Sequence, residues 1–262
     1  MANAALHIAR TGLDAQDTRM RVISNNLANV NTTGFKRDRA SFETLSYQIV
    51  TAQGAASTAE SRYATGLNLG TGVKVQGTAS IQTQGSLSST GNALDVALEG
   101  EGYFQVQLPG GQLGYTRAGN FTRSPEGMLV TTEGYQVMPG ITLPEGATSI
   151  TIGGDGTVSA TIPNQTEATP IGQIQVTTFA NSAGLQPVGD NFLIETGASG
   201  AAQTGVAGLD GRARIRQGML EGSNVNVVEE LVDMIETQRA YEVNSKMISA
   251  TDEMLKYVNQ NI

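Results

Sequence analysis

The residues that most often carry chemistry are few in this sequence, and they are not arranged as a catalytic site. The chain has one histidine, His7, and no cysteine, so the cysteines and paired histidines of a zinc site are missing. The acidic pair Glu99 and Glu101 falls in a predicted turn. The pair Glu229 and Glu230 falls at a predicted helix start, where acidic residues are favourable without catalysis. No nucleophile elbow, Walker A loop or H-E-x-x-H motif occurs. The sequence therefore predicts no enzyme activity and no cofactor or metal.

Four further features narrow the class of protein. The run Gly153-Gly154-Asp155-Gly156 resembles part of a calcium-binding repeat, but it occurs once, so it predicts a turn. The formal net charge is −8, which argues against nucleic acid as a partner because phosphate binding needs basic surfaces. No stretch is apolar enough to predict membrane insertion. Charged residues such as Arg10 and Asp14 interrupt the region where a signal peptide would be apolar, so we expect no cleaved signal peptide.

Two long amphipathic helices are predicted, one at each end of the chain. In 2–30, a heptad-like seam runs from Leu6 through Leu13, Met20 and Ile23 to Leu27, beside a second stripe of smaller residues. In 226–262, Asn226 and Glu229 have the spacing of a helix cap. A second seam follows, and a further apolar stripe replaces it in the second half of the helix. Two stripes on each helix favour packing against several neighbours.

The middle of the chain predicts β-structure. Residues 35–66 are polar and extended, and 51–61 is nearly of low complexity. From 67 to 223, short apolar runs alternate with turns that are rich in glycine and proline. This spacing is typical of an antiparallel barrel or sandwich. We therefore divide the chain into terminal helices at 1–34 and 224–262, a connecting region at 35–66, and a β-rich outer domain at 67–223.

Two motifs connect the chain to a known family. The sequence SNNLANVNTTGFK at 24–36 and the sequence SNVNVVEELVDMIETQRAYEVNSKMISATDEML at 223–255 lie near opposite ends of the chain. Both resemble the signatures of the bacterial flagellar rod and hook family. The chain length and the stretch 47–73 are most similar to the distal-rod members, and this stretch is the expected source of rigidity.

The resemblance implies a fold and an assembly. We expect a mainly β chain with long α-helical termini, whose helices pair as an antiparallel coiled coil that carries the inserted glycine-rich β barrel or sandwich. Copies would join head to tail into a rigid hollow tube, the distal rod of the basal body. This tube would cross the periplasm, transmit torque from motor to hook, and conduct exported subunits.

The helix seams and the two motifs together predict the residues that contact neighbouring subunits. On the N-terminal side they are Leu6, Leu13, Met20, Ile23, Asn25, Asn26, Leu27, Asn29, Asn31 and Gly34. On the C-terminal side they are Glu229, Glu230, Leu231, Met234, Gln238, Arg239, Tyr241, Asn244, Ile248 and Leu255.

The resemblance also implies other partners. These are proximal rod proteins, the hook-side junction, the surrounding ring (bushing) proteins and the flagellar type III export apparatus. Two alternatives remain open from the sequence. One is a proximal rod or hook subunit of the same family. The other is a secreted monomeric β-rich, adhesin-like binding protein, although aromatic residues make up only 5% of the chain.

Overall fold

A computed structural model describes residues 2–54, 64–162 and 168–260. The chain divides into two compact units. Unit 1 comprises Met1–Leu27, Asp38–Ala79 and Asn226–Ile262, and unit 2 comprises Ala28–Arg37 and Ser80–Val225. Each unit is therefore assembled from segments that are far apart in the sequence.

The two helices of unit 1 follow from their sequence patterns. Helix α1 spans Ala2–Ala28 and helix α2 spans Val227–Gln260. Asn226 caps α2, because its side-chain Oδ1 accepts a hydrogen bond from the Val228 amide at 3.1 Å, and the acidic residues of the first turn favour the helix N-terminus. At 34 residues, α2 is about 51 Å long. No helix among the described residues is both long and apolar enough to cross a membrane.

Four strands complete unit 1. They are β1 Asp38–Thr44, β2 Tyr47–Thr51, β3 Leu67–Gly70 and β4 Val73–Ser80. Strand β1 pairs with β4, and β2 pairs antiparallel with β3. The region expected to be an extended connection thus contains two strands. Residues 55–63 of the stretch 47–73, for which we predicted a role in rigidity, lie outside the described residues.

The predicted coiled coil was wrong. A coiled coil would bury the apolar seam of α2, yet Val227, Leu231 and Tyr241 of that seam are 38–44% exposed. The two helices instead make polar contacts with each other, including an ion pair from Arg19 to Asp233 at 3.2 Å. The heptad spacing was real as a pattern, but spacing along one helix does not determine which of its faces meets the other helix.

Unit 2 contains the remaining strands, which are short and mostly antiparallel. In chain order they are β5 Leu87–Ser89, β6 Val96–Glu99, β7 Tyr103–Gln107, β8 Leu113–Thr116, β9 Thr122–Arg123, β10 Leu129–Val130, β11 Gln136–Val137, β12 Ser149–Ile152, β13 Thr157–Thr161, β14 Thr169–Gln173, β15 Gln175–Thr178, β16 Gln186–Gly189, β17 Phe192–Ile194, β18 Gln203–Val206, β19 Arg214–Gln217 and β20 Met219–Glu221.

These strands form one large sheet and several small ones. The nine-stranded sheet runs β16-β17-β8-β7-β11-β10-β9, and in addition β15 pairs with β7 and β18 pairs with β15. Strands β12, β13 and β14 form a three-stranded sheet, and β19 pairs with β6 and β20 with β5. The core lies between the sheets and includes the edge-to-face pair Phe104 and Phe121, whose ring centres are 5.1 Å apart.

The predicted β barrel was also wrong, because no sheet in the described part of the chain closes on itself. One edge of β7 is shared, since Val106 and Gln107 pair with β11 whereas Tyr103 and Phe104 pair with β15. The sheet therefore branches at β7 instead of curling into a cylinder. The turns behave as expected: Gly127 has a φ of +83° and its amide donates to the Ser124 carbonyl at 2.9 Å, which reverses the chain.

Candidate functional site

Helix α2 of unit 1 exposes a row of apolar side chains. We call this row the α2 stripe, and its members are 50–71% exposed: Val228, Val232, Ile235, Val243, Met247, Met254 and Tyr257. They are separated by three, four, seven or eight positions, so they lie along one side of the helix. An exposed apolar row of this kind usually marks a surface that binds another molecule.

A different side of α2 carries the polar contacts to α1. Asp233 accepts a hydrogen bond from Arg19 Nη2 at 3.2 Å, and Glu230 accepts one from Asn26 Nδ2 at the same distance. Gly12 leaves room for Asn244, since a Cβ built on Gly12 would lie 3.1 Å from Asn244 Nδ2. The buried side of α2 is thus partly polar, and the apolar α2 stripe remains on the surface.

Asn26 occupies the centre of these contacts. It is 1% exposed, and its amide holds the backbone of Asp38 from both sides: Nδ2 donates to the Asp38 carbonyl and Oδ1 accepts from the Asp38 amide, each at 2.9 Å. The same Nδ2 donates to Glu230, which is 2% exposed. One side chain therefore joins the end of α1, the start of β1 and the first turn of α2.

The substitution Asn26→Asp should destabilise unit 1 by about 3 kcal/mol, because it buries a carboxylate beside a carbonyl and a second carboxylate. Chemical denaturation followed by helical circular dichroism will measure this cost. Asn31→Asp introduces the same charge at an exposed residue and should change the free energy of unfolding by less than about 0.5 kcal/mol. Equal stabilities for the two variants would contradict the role of Asn26.

The structure distributes the predicted subunit-contact residues over different environments. On the N-terminal side, Leu6, Leu13, Met20, Leu27 and Asn29 are half-buried, Ile23, Asn26 and Gly34 are buried, and Asn25 and Asn31 are exposed. On the C-terminal side, Glu230 is buried, Met234, Asn244, Ile248 and Leu255 are half-buried, and Glu229, Leu231, Gln238, Arg239 and Tyr241 are exposed. Asn26 and Glu230 come together within one chain. Contact of these residues with a neighbouring subunit stays a prediction.

A buried ionic cluster in unit 2 was missed by the sequence analysis. Glu221 is fully buried, and its carboxylate accepts hydrogen bonds from Lys36 Nζ at 2.6 Å and from Arg117 Nε at 2.8 Å. The side chains of Lys36 and Arg117 are only 7% and 5% exposed. We call these three residues the buried cluster. Lys36 ends the motif at 24–36, but no sequence signal connects it with Glu221, which lies 185 positions away.

The buried cluster holds more positive than negative charge. Burial, followed by repulsion from Arg117, holds the pKa of Lys36 below its ordinary value of 10.5, against the opposing effect of Glu221. Arg117 also donates to the carbonyls of Gly100 at 2.9 Å and Gly102 at 3.1 Å. These carbonyl dipoles offset part of the excess positive charge.

The remaining candidates for chemistry have structural roles. His7 lies on the exposed surface, with Nδ1 3.3 Å from the Thr71 carbonyl oxygen. Asp155 stabilises its turn by accepting hydrogen bonds from the amide and hydroxyl of Thr157, and these bonds lower its pKa. Within 2–54, 64–162 and 168–260, no group of acidic, histidine or cysteine residues could hold a metal ion.

Three family models match the chain in order. Residues 6–36 match the flagella basal body rod protein model, 97–160 match the flagellar hook protein FlgE/F/G D1 domain, and 216–261 match the flagellar basal body rod FlgEFG protein C-terminal model. The first and third matches include α1 from residue 6 onward, the whole of α2 and both members of the Asn26–Glu230 contact.

Curated relatives cover nearly the whole chain. The flagellar basal-body rod protein FlgG of Buchnera aphidicola subsp. Acyrthosiphon pisum is 49% identical over 256 residues, 98% of each chain. FlgG of Bacillus subtilis is 38% identical over 257 residues, 96% of each chain. The flagellar basal-body rod protein FlgF of Caulobacter vibrioides is 37% identical over 250 residues, 93% of this chain and 92% of the relative. The chain belongs to the flagellar basal-body rod protein family.

Proposed function

We propose that this chain is a structural subunit of the flagellar rod, and that copies of it join head to tail into the rigid hollow tube of the distal rod. The observation that carries the proposal is the α2 stripe. Apolar surface gains about 25 cal/mol for each Å² that leaves water, so a row of large exposed side chains favours burial against another copy. A head-to-tail contact that does not close into a ring gives an open helical polymer.

The family supports a structural role, and the relatives named as rod proteins do not favour a hook subunit or a secreted adhesin-like monomer. Membership of the family also supports a location in the flagellar basal body. In the proposed assembly the tube crosses the periplasm, transmits torque from motor to hook and conducts exported subunits. Its further partners are the proximal rod proteins, the hook-side junction, the surrounding ring proteins and the type III export apparatus, which exports the chain without a cleaved signal peptide.

The subunit contacts that we propose include the α2 stripe together with the exposed members of the predicted set on the same helix. These are Glu229, Leu231, Gln238, Arg239 and Tyr241. Asn26 and Glu230 contribute by keeping α1, β1 and α2 in a fixed arrangement, as their contacts within one chain suggest.

Electron microscopy of the purified protein at increasing concentration tests the proposal. We expect straight tubes above a threshold concentration, and their straightness would separate a rod subunit from a hook subunit, which should form curved filaments. A protein that stays monomeric at every concentration, or that forms curved filaments, would overturn the assignment to the rod.

A further inference from the structure

Every passage of the chain between the two units starts from a small region of unit 2. The chain leaves one unit for the other after residues 27, 37, 79 and 225. Three segments of unit 2 lead to these passages, namely 28–37, 80–85 and 219–225. Any force on unit 1 that reaches unit 2 along the chain must enter through these three segments.

Glu221 binds all three segments together. Its carbonyl accepts a hydrogen bond from the Gly34 amide at 2.8 Å, so 28–37 and 219–225 are joined through the backbone. Its carboxylate accepts from Lys36 Nζ at 2.6 Å and from the Gly85 amide at 2.9 Å. The Lys36 ammonium also donates to the Thr83 carbonyl at 2.8 Å.

Asn224 makes a second set of bonds among the same segments. Its Oδ1 accepts from the Arg37 amide at 2.7 Å, and its Nδ2 donates to the carbonyls of Ile81 at 2.8 Å and Thr83 at 3.1 Å. The Ile81 amide donates to the Arg37 carbonyl at 2.8 Å. Two sets of hydrogen bonds therefore join the three segments to each other, one around Glu221 and one around Asn224.

The close packing of Gly34 keeps segment 28–37 against the part of unit 2 outside the three segments, which we call the body. Gly34 has a φ of +70°, and a Cβ at this position would lie 2.7 Å from backbone atoms of Arg117 and Ala118. Arg117 in turn links Glu221 to the carbonyls of Gly100 and Gly102. A continuous path of bonds thus runs from the three segments into the strands of the body.

We propose that these segments, held by Lys36, Glu221 and Asn224, form a mechanical junction through which torque enters unit 2. This inference rests on the proposed function, in which the chain carries torque. When the segments are pulled along their length, the hydrogen bonds between them share the force. Several of these bonds must therefore break at the same time. The burial of Glu221 keeps water from replacing these bonds one at a time.

A single-molecule force experiment on the full chain tests the junction. The chain has no cysteine, so one cysteine added at the C-terminus and one at Glu145, an exposed residue of unit 2, can hold the handles. Load then enters unit 2 through 219–225. We expect Asn224→Ala to shorten the lifetime of folded unit 2 at constant force by about a hundredfold, the effect of losing two or three hydrogen bonds.

Gln217→Ala is the matched control. The Gln217 amide also bridges separate segments, donating to the carbonyls of Ala93 and Ile150 at 2.8 Å and accepting from the Ile152 amide at 3.1 Å, but it lies inside the body. Both variants should lower the thermal unfolding temperature by similar amounts, whereas only Asn224→Ala should shorten the lifetime under load.

An unchanged lifetime for Asn224→Ala, or an equal shortening for Gln217→Ala, would overturn the proposal. If Asn224→Ala does not fold, Lys36→Met replaces it, because this variant keeps the Glu221–Arg117 pair and removes only the bonds of Lys36 to 80–85 and 219–225. The measurement uses single molecules and needs no tubes. A failure of the junction is therefore distinguishable from a failure of the proposed assembly.

Discussion

Glu221→Gln should be strongly destabilising, at about 3–5 kcal/mol near neutral pH. Glutamine has nearly the shape of glutamate, so the packing changes little. It removes the only carboxylate of the buried cluster and leaves Lys36 and Arg117 as buried cations. Chemical denaturation of the full chain, followed by a signal from the β-structure, will measure the loss.

The loss should shrink as the pH rises. The pKa of Lys36 already lies below 10.5 in the folded protein, and loss of the Glu221 charge should lower it further. Between that lowered pKa and 10.5, the unfolded chain binds more protons than the folded chain, so stability increases with pH. The pKa of Tyr103, which also interacts with Glu221 and Arg117, is raised above 10.0 mainly by burial. Lys36 is therefore the group expected to titrate.

Two further variants make this prediction specific. Adding Lys36→Met to Glu221→Gln removes one of the two uncompensated cations and should restore part of the stability and abolish the alkaline recovery. Glu99→Gln breaks an exposed ion pair with Arg216 at 2.7 Å, which should cost less than about 1 kcal/mol. If Glu221→Gln costs no more than Glu99→Gln, the buried cluster does not hold unit 2 as described.

Ile235→Glu should abolish tube formation without unfolding the isolated chain. Ile235 belongs to the α2 stripe and is 50% exposed, so the substitution should change the stability of the monomer by about 0.5 kcal/mol or less. In the proposed contact the same side chain is buried against another copy, where an unpaired carboxylate is costly. Sedimentation and electron microscopy, at a concentration where the native chain forms tubes, will show the difference.

Ser245→Glu is the control for this second prediction. Ser245 is exposed on α2 but lies outside the α2 stripe, and the substitution adds the same charge to the same helix. This variant should assemble as the native chain does. If Ile235→Glu forms normal tubes, or if Ser245→Glu prevents assembly to the same degree, then the α2 stripe does not form the proposed contact.

The two helices could be predicted from the sequence, because helix formation depends mainly on residues that are close together in the chain. The predicted helix 2–30 ends two residues later than α1, and Asn226 caps α2 as expected. Which faces of the two helices pack together could not be predicted in this way. Both helices have more than one apolar face, and the face of α2 that meets α1 carries Glu230 and Asp233, which no rule of apolar spacing would choose.

The strands and turns of unit 2 were also largely predictable, because short apolar runs between turns, such as Ser149–Ile152 and Phe192–Ile194, are a local signal of strands. Their arrangement was not, because closure of a sheet depends on pairing between distant strands. The branching at β7 has no local signal. The buried cluster was not predicted for the same reason. Lys36, Arg117 and Glu221 are each of a type that is usually found on the surface, and only the fold brings them together.

The division of the chain has a consequence for the order in which the protein can fold. Synthesis proceeds from the N-terminus, but Lys36 can pair with the carboxylate of Glu221 only after residue 221 has been made. The contact between Asn26 and Glu230 can form only after that. Contacts between residues so far apart in sequence also form slowly. Neither unit can be completed on the ribosome until most of the chain has emerged, so both units stay incomplete, and open to capture by other proteins, for most of the synthesis.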